Sequence, residues 1–314
     1  MALKKKRKLK VKNFIIFIII IFVFLFLIYK AAALIINIIF NEKKEVIENK
    51  TPKKEPVIEE KKNSSKEKYK KLDNIQEKIN FFKEENLDRY IAYKERNKEL
   101  SSEQVVLEVN IGLDKEYYTN VKPAANLNTN YILVNKYNSL DKDYVPNDLK
   151  NLDSKYSIEG MKMVGYAKDA FEEMSKDALK ENMHIIAMST YRSYSYQVNL
   201  YNKYVQQDGV EKANKYSGKA GFSEHQTGLA ADVYNGKTSY TSFEKTKEFK
   251  WMQENAHKYG FILRFPKDKE KETGYIYESW HYRYVGKEIA EYIHNNNISY
   301  EEYYVRFIDN KKEN

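Results

Sequence analysis

Apolar residues recur at three- and four-residue steps through Val164, Ala167, Phe171, Met174 and Ala178, the period of a helix with one buried face. Phe249, Met252, Ala256 and Tyr259 repeat the pattern and stop at Gly260, and Val285, Ile289 and Ile293 predict a last helix over the core. Residues 195–206 (SYQVNLYNKYVQ) and SEQVVLEVN, with Ser101 or Ser102 as its cap, predict two more helices. Between them lie short β-branched and aromatic runs: YILVNKY (131–137), HIIAMST (184–190), GLAADVYN (228–235), FILRF (261–265) and WHYRYVG (280–286). Strands and helices alternate irregularly, and the long apolar runs of a parallel doubly wound sheet are missing, so the expected class is α+β.

The N-terminal part follows another pattern. Residues 14–29 are an unbroken apolar run, and Phe14–Ala33 is long enough to span a hydrocarbon core of about 30 Å as a helix. Seven Lys/Arg and no acid precede it in residues 1–13, which orients the start of the chain to the cytoplasm and the body outside. Ala31–Ala33 also fits a signal-cleavage site, so secretion after cleavage is the alternative to an anchor. Residues 41–70 hold seventeen charged residues and only five Val, Ile or Tyr, the composition of a solvated tether. The expected organisation is a basic cytoplasmic tail (1–13), a transmembrane anchor region (14–40), a flexible tether (41–70), a helical lead-in (71–100), the main domain (101–300) and a C-terminal tail (301–314).

Charge and composition narrow the function. The formal charge is +9, but the first 13 residues carry +7 of it, which leaves +2 over the rest and no broad basic surface for nucleic acid. No Gly-rich loop that would cradle a nucleotide phosphate and no internal repeat is present. The chain has no cysteine, which excludes disulfides, thiolate metal sites and a cysteine nucleophile. Any metal must therefore be held by carboxylates and the five histidines.

Three segments carry the chemistry: STYRSYSYQ (189–197), SEHQTGLAAD (223–232) and ESWHYR (278–283). His225, Asp232 and His281 can supply two imidazole nitrogens and a carboxylate oxygen, a ligand set for catalytic Zn²⁺ with a fourth position open to water. Gly228 suits a tight turn between the first two. Glu278 precedes His281 by three residues, so strand alternation would put them on opposite faces. Both reach one site only if Glu278 sits on an irregular turn before the strand. There its carboxylate could take a proton from zinc-bound water. His184, His257 and His294 belong to no motif and are expected to be structural.

The patterns S-x-H-x-x-G-x-A-x-D (Ser223 to Asp232), E-x-W-H (Glu278 to His281) and Y-R-S-x-x-x-Q (Tyr191 to Gln197) occur in the order found in the VanY-type D-alanyl-D-alanine carboxypeptidase family, which the chain resembles over about residues 100–296. The resemblance implies a small antiparallel sheet with flanking helices. It implies one Zn²⁺ per chain on His225, Asp232 and His281, with Glu278 as catalytic base. Arg192, Gln197 and Ser223 would hold the substrate's terminal carboxylate, and Arg192 would also help to stabilise the oxyanion. The implied substrates are peptidoglycan stem peptides that lose a C-terminal D-Ala. Removal from a pentapeptide (D,D) or a tetrapeptide (L,D) is equally allowed. An endopeptidase is disfavoured by the carboxylate-binding set, and a non-catalytic zinc-stabilised wall-binding module by the presence of Glu278.

Overall fold

The chain divides into Met1–Ser64 and Ser65–Asn314. The computed structural model describes residues 66–309 of the second unit, together with Lys30 of the first. The expected tail and anchor and nearly all of the tether thus lie outside the described residues, Lys30 apart. Among the described residues no helix is long and apolar enough to cross a membrane.

The second unit is α+β. After a helical stretch at 66–70 come α1 (Leu87–Arg96) and α2 (Ser102–Ile111). Short strands follow: β1 (Lys122–Pro123), β2 (Asn138–Ser139), β3 (Leu149–Asn151) and β4 (Lys162–Val164). Then come α3 (Gly165–Lys180), β5 (Ile186–Ser189), α4 (Tyr194–Asp208), α5 (Val210–Tyr216), β6 (Ala230–Tyr234) and α6 (Lys247–Asn255). The chain ends with β7 (Phe261–Leu263), α7 (Glu270–Thr273), β8 (His281–Tyr284), α8 (Lys287–Asn296) and α9 (Tyr300–Phe307). Strands β5, β6, β8 and β7 form, in that order, one antiparallel sheet. Ser101 caps α2 in a reciprocal capping box with Gln104.

The sheet separates two environments. Asp232 lies opposite His281 across the β6–β8 ladder and Ala231 opposite Tyr282, so each pair shares a face. On one face Ala187, Ala231, Val233 and Tyr282 join the buried stripe of α3 (Ala167, Phe171, Met174 and Ala178) in the main core. The other face carries Asp232, His281 and Arg283, which alternation keeps out of that core. A bulge between Ala187 and Ser189 turns the end of β5 towards the polar face.

Two expectations are corrected. YILVNKY is buried over residues 132–136 but is not a strand: only Asn135 bridges, to Asn138 at the start of β2. The guanidinium of Arg283 donates to the carbonyls of Asn130 and Ile132, so this extended run is held by a buried side chain rather than by a ladder. The part of the expected C-terminal tail up to residue 309 is also not a tail. α9 begins at Tyr300, and Glu301 is 1% exposed because it accepts two hydrogen bonds from Arg264 (2.5 and 2.8 Å). Arg306 ties α9 to Glu103 of α2 at 2.9 Å. Val305 joins the cluster built by Leu72, Phe81, Tyr90 and the apolar face of α2, so the lead-in helices belong to the same unit as the sheet.

Replacing Glu301 by Ala leaves the buried Arg264 with one carboxylate instead of two. A loss of about 3–5 kcal/mol in unfolding free energy is expected by urea titration; a loss below about 1 kcal/mol would show that Arg264 is satisfied without it.

Candidate metal centre and active site

His225 sits in the 3₁₀ turn Glu224–Thr227, which ends at Gly228 with φ +69°. A Cβ on Gly228 would come within 2.9 Å of Leu149 and 3.1 Å of Val164, so the position needs glycine for both its backbone and its space. The Nδ1 of His225 lies 2.6 Å from the carbonyl of Thr190, which can only accept, so Nδ1 carries the proton and Nε2 the lone pair. That Nε2 is buried without a hydrogen-bond partner, 3.3 Å from Asp232 Oδ2. His281 opens β8 with Nδ1 3.0 Å from Asp232 Oδ1. One ligand atom from each of the three residues lies within 4.8 Å of the others. A lone-pair nitrogen with no donor, aimed at a half-buried carboxylate that a second imidazole also faces, is the donor set that a divalent cation fits.

Electrostatics agree with this arrangement. Burial and the Arg192 charge push His225 down to about 4, so its imidazole is neutral at pH 7. Burial alone would raise Asp232, but His225 and His281 hold it well below the usual carboxylate range. His281 is pushed up to about 9: burial opposes its charge, and the hydrogen bond with Asp232 and the facing carboxylate of Glu224 outweigh it.

Glu278 lies on the irregular segment before a turn at 279–280, as its spacing from His281 requires. Its N–H donates to Phe265 O (3.0 Å) and its carbonyl accepts from His281 N (3.2 Å). The carboxylate is buried, with Oε2 3.8 Å from His281 Nδ1. Burial pushes Glu278 up to about 8; His281 and Arg192 oppose the shift and Asp232 adds to it.

The remaining candidates line the same cleft, of about 530 Å³. Arg192 follows the bulged end of β5, with Nη2 3.6 Å from Asp232 Oδ2 and a buried Nε that has no partner. Ser223 precedes the 3₁₀ turn and its hydroxyl is not used in capping. Gln197, in the first turn of α4, is committed differently: its Nε2 donates to Gly218 O (2.7 Å) and Ser217 Oγ (3.3 Å), leaving Oε1 as the unpartnered atom. A free acceptor does not bind a carboxylate, so in this arrangement Gln197 braces the 217–218 wall. His184 is exposed, and His257 and His294 stack on each other at 3.7 Å; none of the three lines the cleft.

Glu224 fills the open position between Ser223 and His225 in the S-x-H motif. It is 4% exposed, and its Oε1 accepts from Arg264 Nε and Arg283 Nη1, both at 2.9 Å. Its Oε2 lies 3.6 Å from His281 Nε2. Burial would raise this carboxylate, yet the two arginines and His281 hold it well below the usual range. Its only local signal is its place inside the motif.

The family model for VanY, D-alanyl-D-alanine carboxypeptidase, matches residues 160–287, which contain every site residue named above. YodJ of Bacillus subtilis (strain 168), described as a carboxypeptidase, is 40% identical over 205 residues, covering 61% of this chain and 75% of its own length. The chain belongs to the VanY family. It is accordingly a carboxypeptidase. Within the family, the D-alanyl-D-alanine carboxypeptidase of Enterococcus faecium is 39% identical over 184 residues, 55% of this chain and 57% of its own. The solved LdcB LD-carboxypeptidase superposes with a TM-score of 0.54 at 40% identity, covering 59% of this chain and 93% of that one.

Replacing His281 by Ala removes one of three donors. Bound zinc, read by inductively coupled plasma mass spectrometry after gel filtration, is expected to fall well below the parent's. An unchanged stoichiometry would remove His281 from the donor set.

Proposed function

We propose that the protein is a membrane-anchored zinc carboxypeptidase that removes C-terminal D-Ala from peptidoglycan stem peptides. The observation that carries this reading is the convergence of Nε2 of His225 and Nδ1 of His281 on Asp232, with Glu278 and Arg192 facing the same cleft. His225, Asp232 and His281 would hold a zinc ion, which would supply Lewis acidity to the scissile carbonyl and to a water. The chain's own groups do the rest. Glu278 takes a proton from the attacking water and returns it to the leaving amine, so acid and base duties fall on one carboxylate and no covalent intermediate is needed. Arg192 offers a guanidinium with an unspent Nε to the terminal carboxylate or to the oxyanion that develops as water adds. Ser223 adds a hydroxyl donor to the carboxylate.

The position of the body outside the membrane rests on the apolar run at 14–40 and the seven positive charges before it. Cell-wall peptides are found on that side. Secretion after cleavage near Ala31–Ala33 serves the same substrate. Two substrate readings stand: the Enterococcus faecium relative is named for D-alanyl-D-alanine, whereas LdcB, named as an LD-carboxypeptidase in a study of peptidoglycan recognition, favours the tetrapeptide. A zinc-stabilised binding module without turnover would have no use for the buried Glu278 beside the donor set.

Full-length protein in detergent with zinc is expected to release one alanine from a pentapeptide stem (D,D) or a tetrapeptide stem (L,D), read by mass spectrometry, and to stop when a chelator is added. Loss from neither, with metal bound and fold intact, contradicts the proposal. The Glu278→Gln variant should keep its zinc and thermal transition while hydrolysis falls by about 10²–10⁴-fold; parent-like turnover would remove Glu278 as the base.

A further inference from the structure

Lys136 is 2% exposed, and no carboxylate pairs with it among the described residues. A buried cation without a counter-ion is costly, so its partners deserve an account. The ammonium donates to the carbonyl of Asn214 at 2.6 Å and to the carbonyl of Gly274. Asn214 lies in the last turn of α5 and Gly274 is the C-cap of α7. Both carbonyls thus belong to helix C-terminal ends, where backbone acceptors lack intrahelical donors and the dipole is negative. The rings of Tyr117 and Tyr275 present their faces to the same ammonium at 4.2 and 4.5 Å. Burial pushes Lys136 down to about 8.

What this cation joins are two walls of the cleft. The first runs from the end of α5 through Ser217 and Gly218, where Gln197 braces it. The second runs from Gly274 through Tyr275 and Ile276 to Glu278. Ile276 N donates to Lys215 O at 2.9 Å, so the walls also touch directly. The ring of Tyr275 sets their separation: a Cβ on Gly218 would come within 2.9 Å of its hydroxyl. Tyr275 then packs on Phe265, and Phe265 on the ring of His281, each at 4.8 Å between centroids.

We propose that Lys136 is a positioning residue for hydrolysis: its ammonium clasps the ends of two short helices and so fixes the gap between the 214–218 wall and the segment that carries Glu278. The inference rests on the carboxypeptidase reading and adds a residue that touches neither substrate nor metal. It requires the charge and not merely the volume of the side chain, because carbonyl dipoles and ring faces attract a cation and not a methyl group.

The test uses full-length Lys136→Ala and Lys136→Met with the stem peptide that the parent cleaves. Both variants are expected to keep the parent's zinc stoichiometry and to lose about 10–100-fold in kcat/KM, mostly in kcat, since small misplacements of a catalytic group cost that much. Propylammonium, which replaces the atoms removed in Lys136→Ala, should restore part of that rate, and 1-propanol should not. Parent-like kcat/KM in either variant overturns the proposal, as does failure of propylammonium to restore the rate. Joint loss of zinc and of the thermal transition in both variants also overturns it, leaving Lys136 a stability role alone. Parent hydrolysis in the same assay establishes the underlying reading, so an unaffected variant counts against Lys136 only; a parent that cleaves neither stem overturns both.

Discussion

Four buried charges hold this fold's polar face together. Arg264 and Arg283 are 1% and 0% exposed, and between them lies Glu224, whose Oε1 takes a hydrogen bond from each. Glu301 neutralises the far side of Arg264, and the carbonyls of Asn130, Ile132 and Tyr284 take the other donors of Arg283. Two positive and two negative charges balance, and every nitrogen of each guanidinium donates at least one hydrogen bond. Such a network contributes little net stability, because desolvation cancels much of the attraction, yet removing one member leaves an uncompensated charge in the interior. Its effect is geometric. It ties together the 130–132 run, the 3₁₀ turn with His225, the ends of β7 and β8, and α9, and it points Glu224 Oε2 at His281.

That geometry explains why the candidate site lies where it does. Antiparallel pairing puts Asp232 and His281 side by side on the face away from the apolar core. The bulge at the end of β5 brings Thr190 to His225 and Arg192 to Asp232. His225 has one nitrogen committed to Thr190 O, His281 Nε2 lies 3.6 Å from Glu224 Oε2 without a hydrogen bond, and the other nitrogen of each faces Asp232. Outer partners of this kind fix tautomer and ring orientation before any cation arrives. The substrate side of the cleft is built from irregular chain, where the 217–218 and 274–278 walls depend on side-chain ties rather than on strand ladders.

The legible parts of the fold were those with local signals. The three- and four-residue stripe of α3, the Gly260 stop after α6 and the capped α2 all read directly from spacing, and the strands of the main sheet were found within a few residues. The His225, Asp232 and His281 set and the irregular seat of Glu278 were also visible, because motif spacing reflects local geometry. What escaped depends on distant partners. Residues 131–137 have strand composition, but the guanidinium of the distant Arg283 takes the carbonyl of Ile132, and those of Lys136 and Tyr137 accept from Tyr118 N and Lys122 N. Residues 301–307 read as part of a tail because the partner of Glu301 is the distant Arg264. Glu224 was invisible as a functional residue for the same reason, and the donors of Gln197 turned out to be spent on Gly218 and Ser217. The short β3–β4 hairpin carries no pattern long enough to detect.

Through Glu224, whose Oε2 lies 3.6 Å from His281 Nε2, the buried charge network orients His281 for metal binding. Zinc affinity of the Glu224→Gln variant, measured by competition with a chromophoric chelator, tests it most directly. The amide keeps an acceptor for the two arginines but removes the charge facing His281 Nε2. The zinc Kd is expected to rise by about 10–100-fold with the fold retained; an unchanged Kd in a folded variant would show that Glu224 does not orient His281.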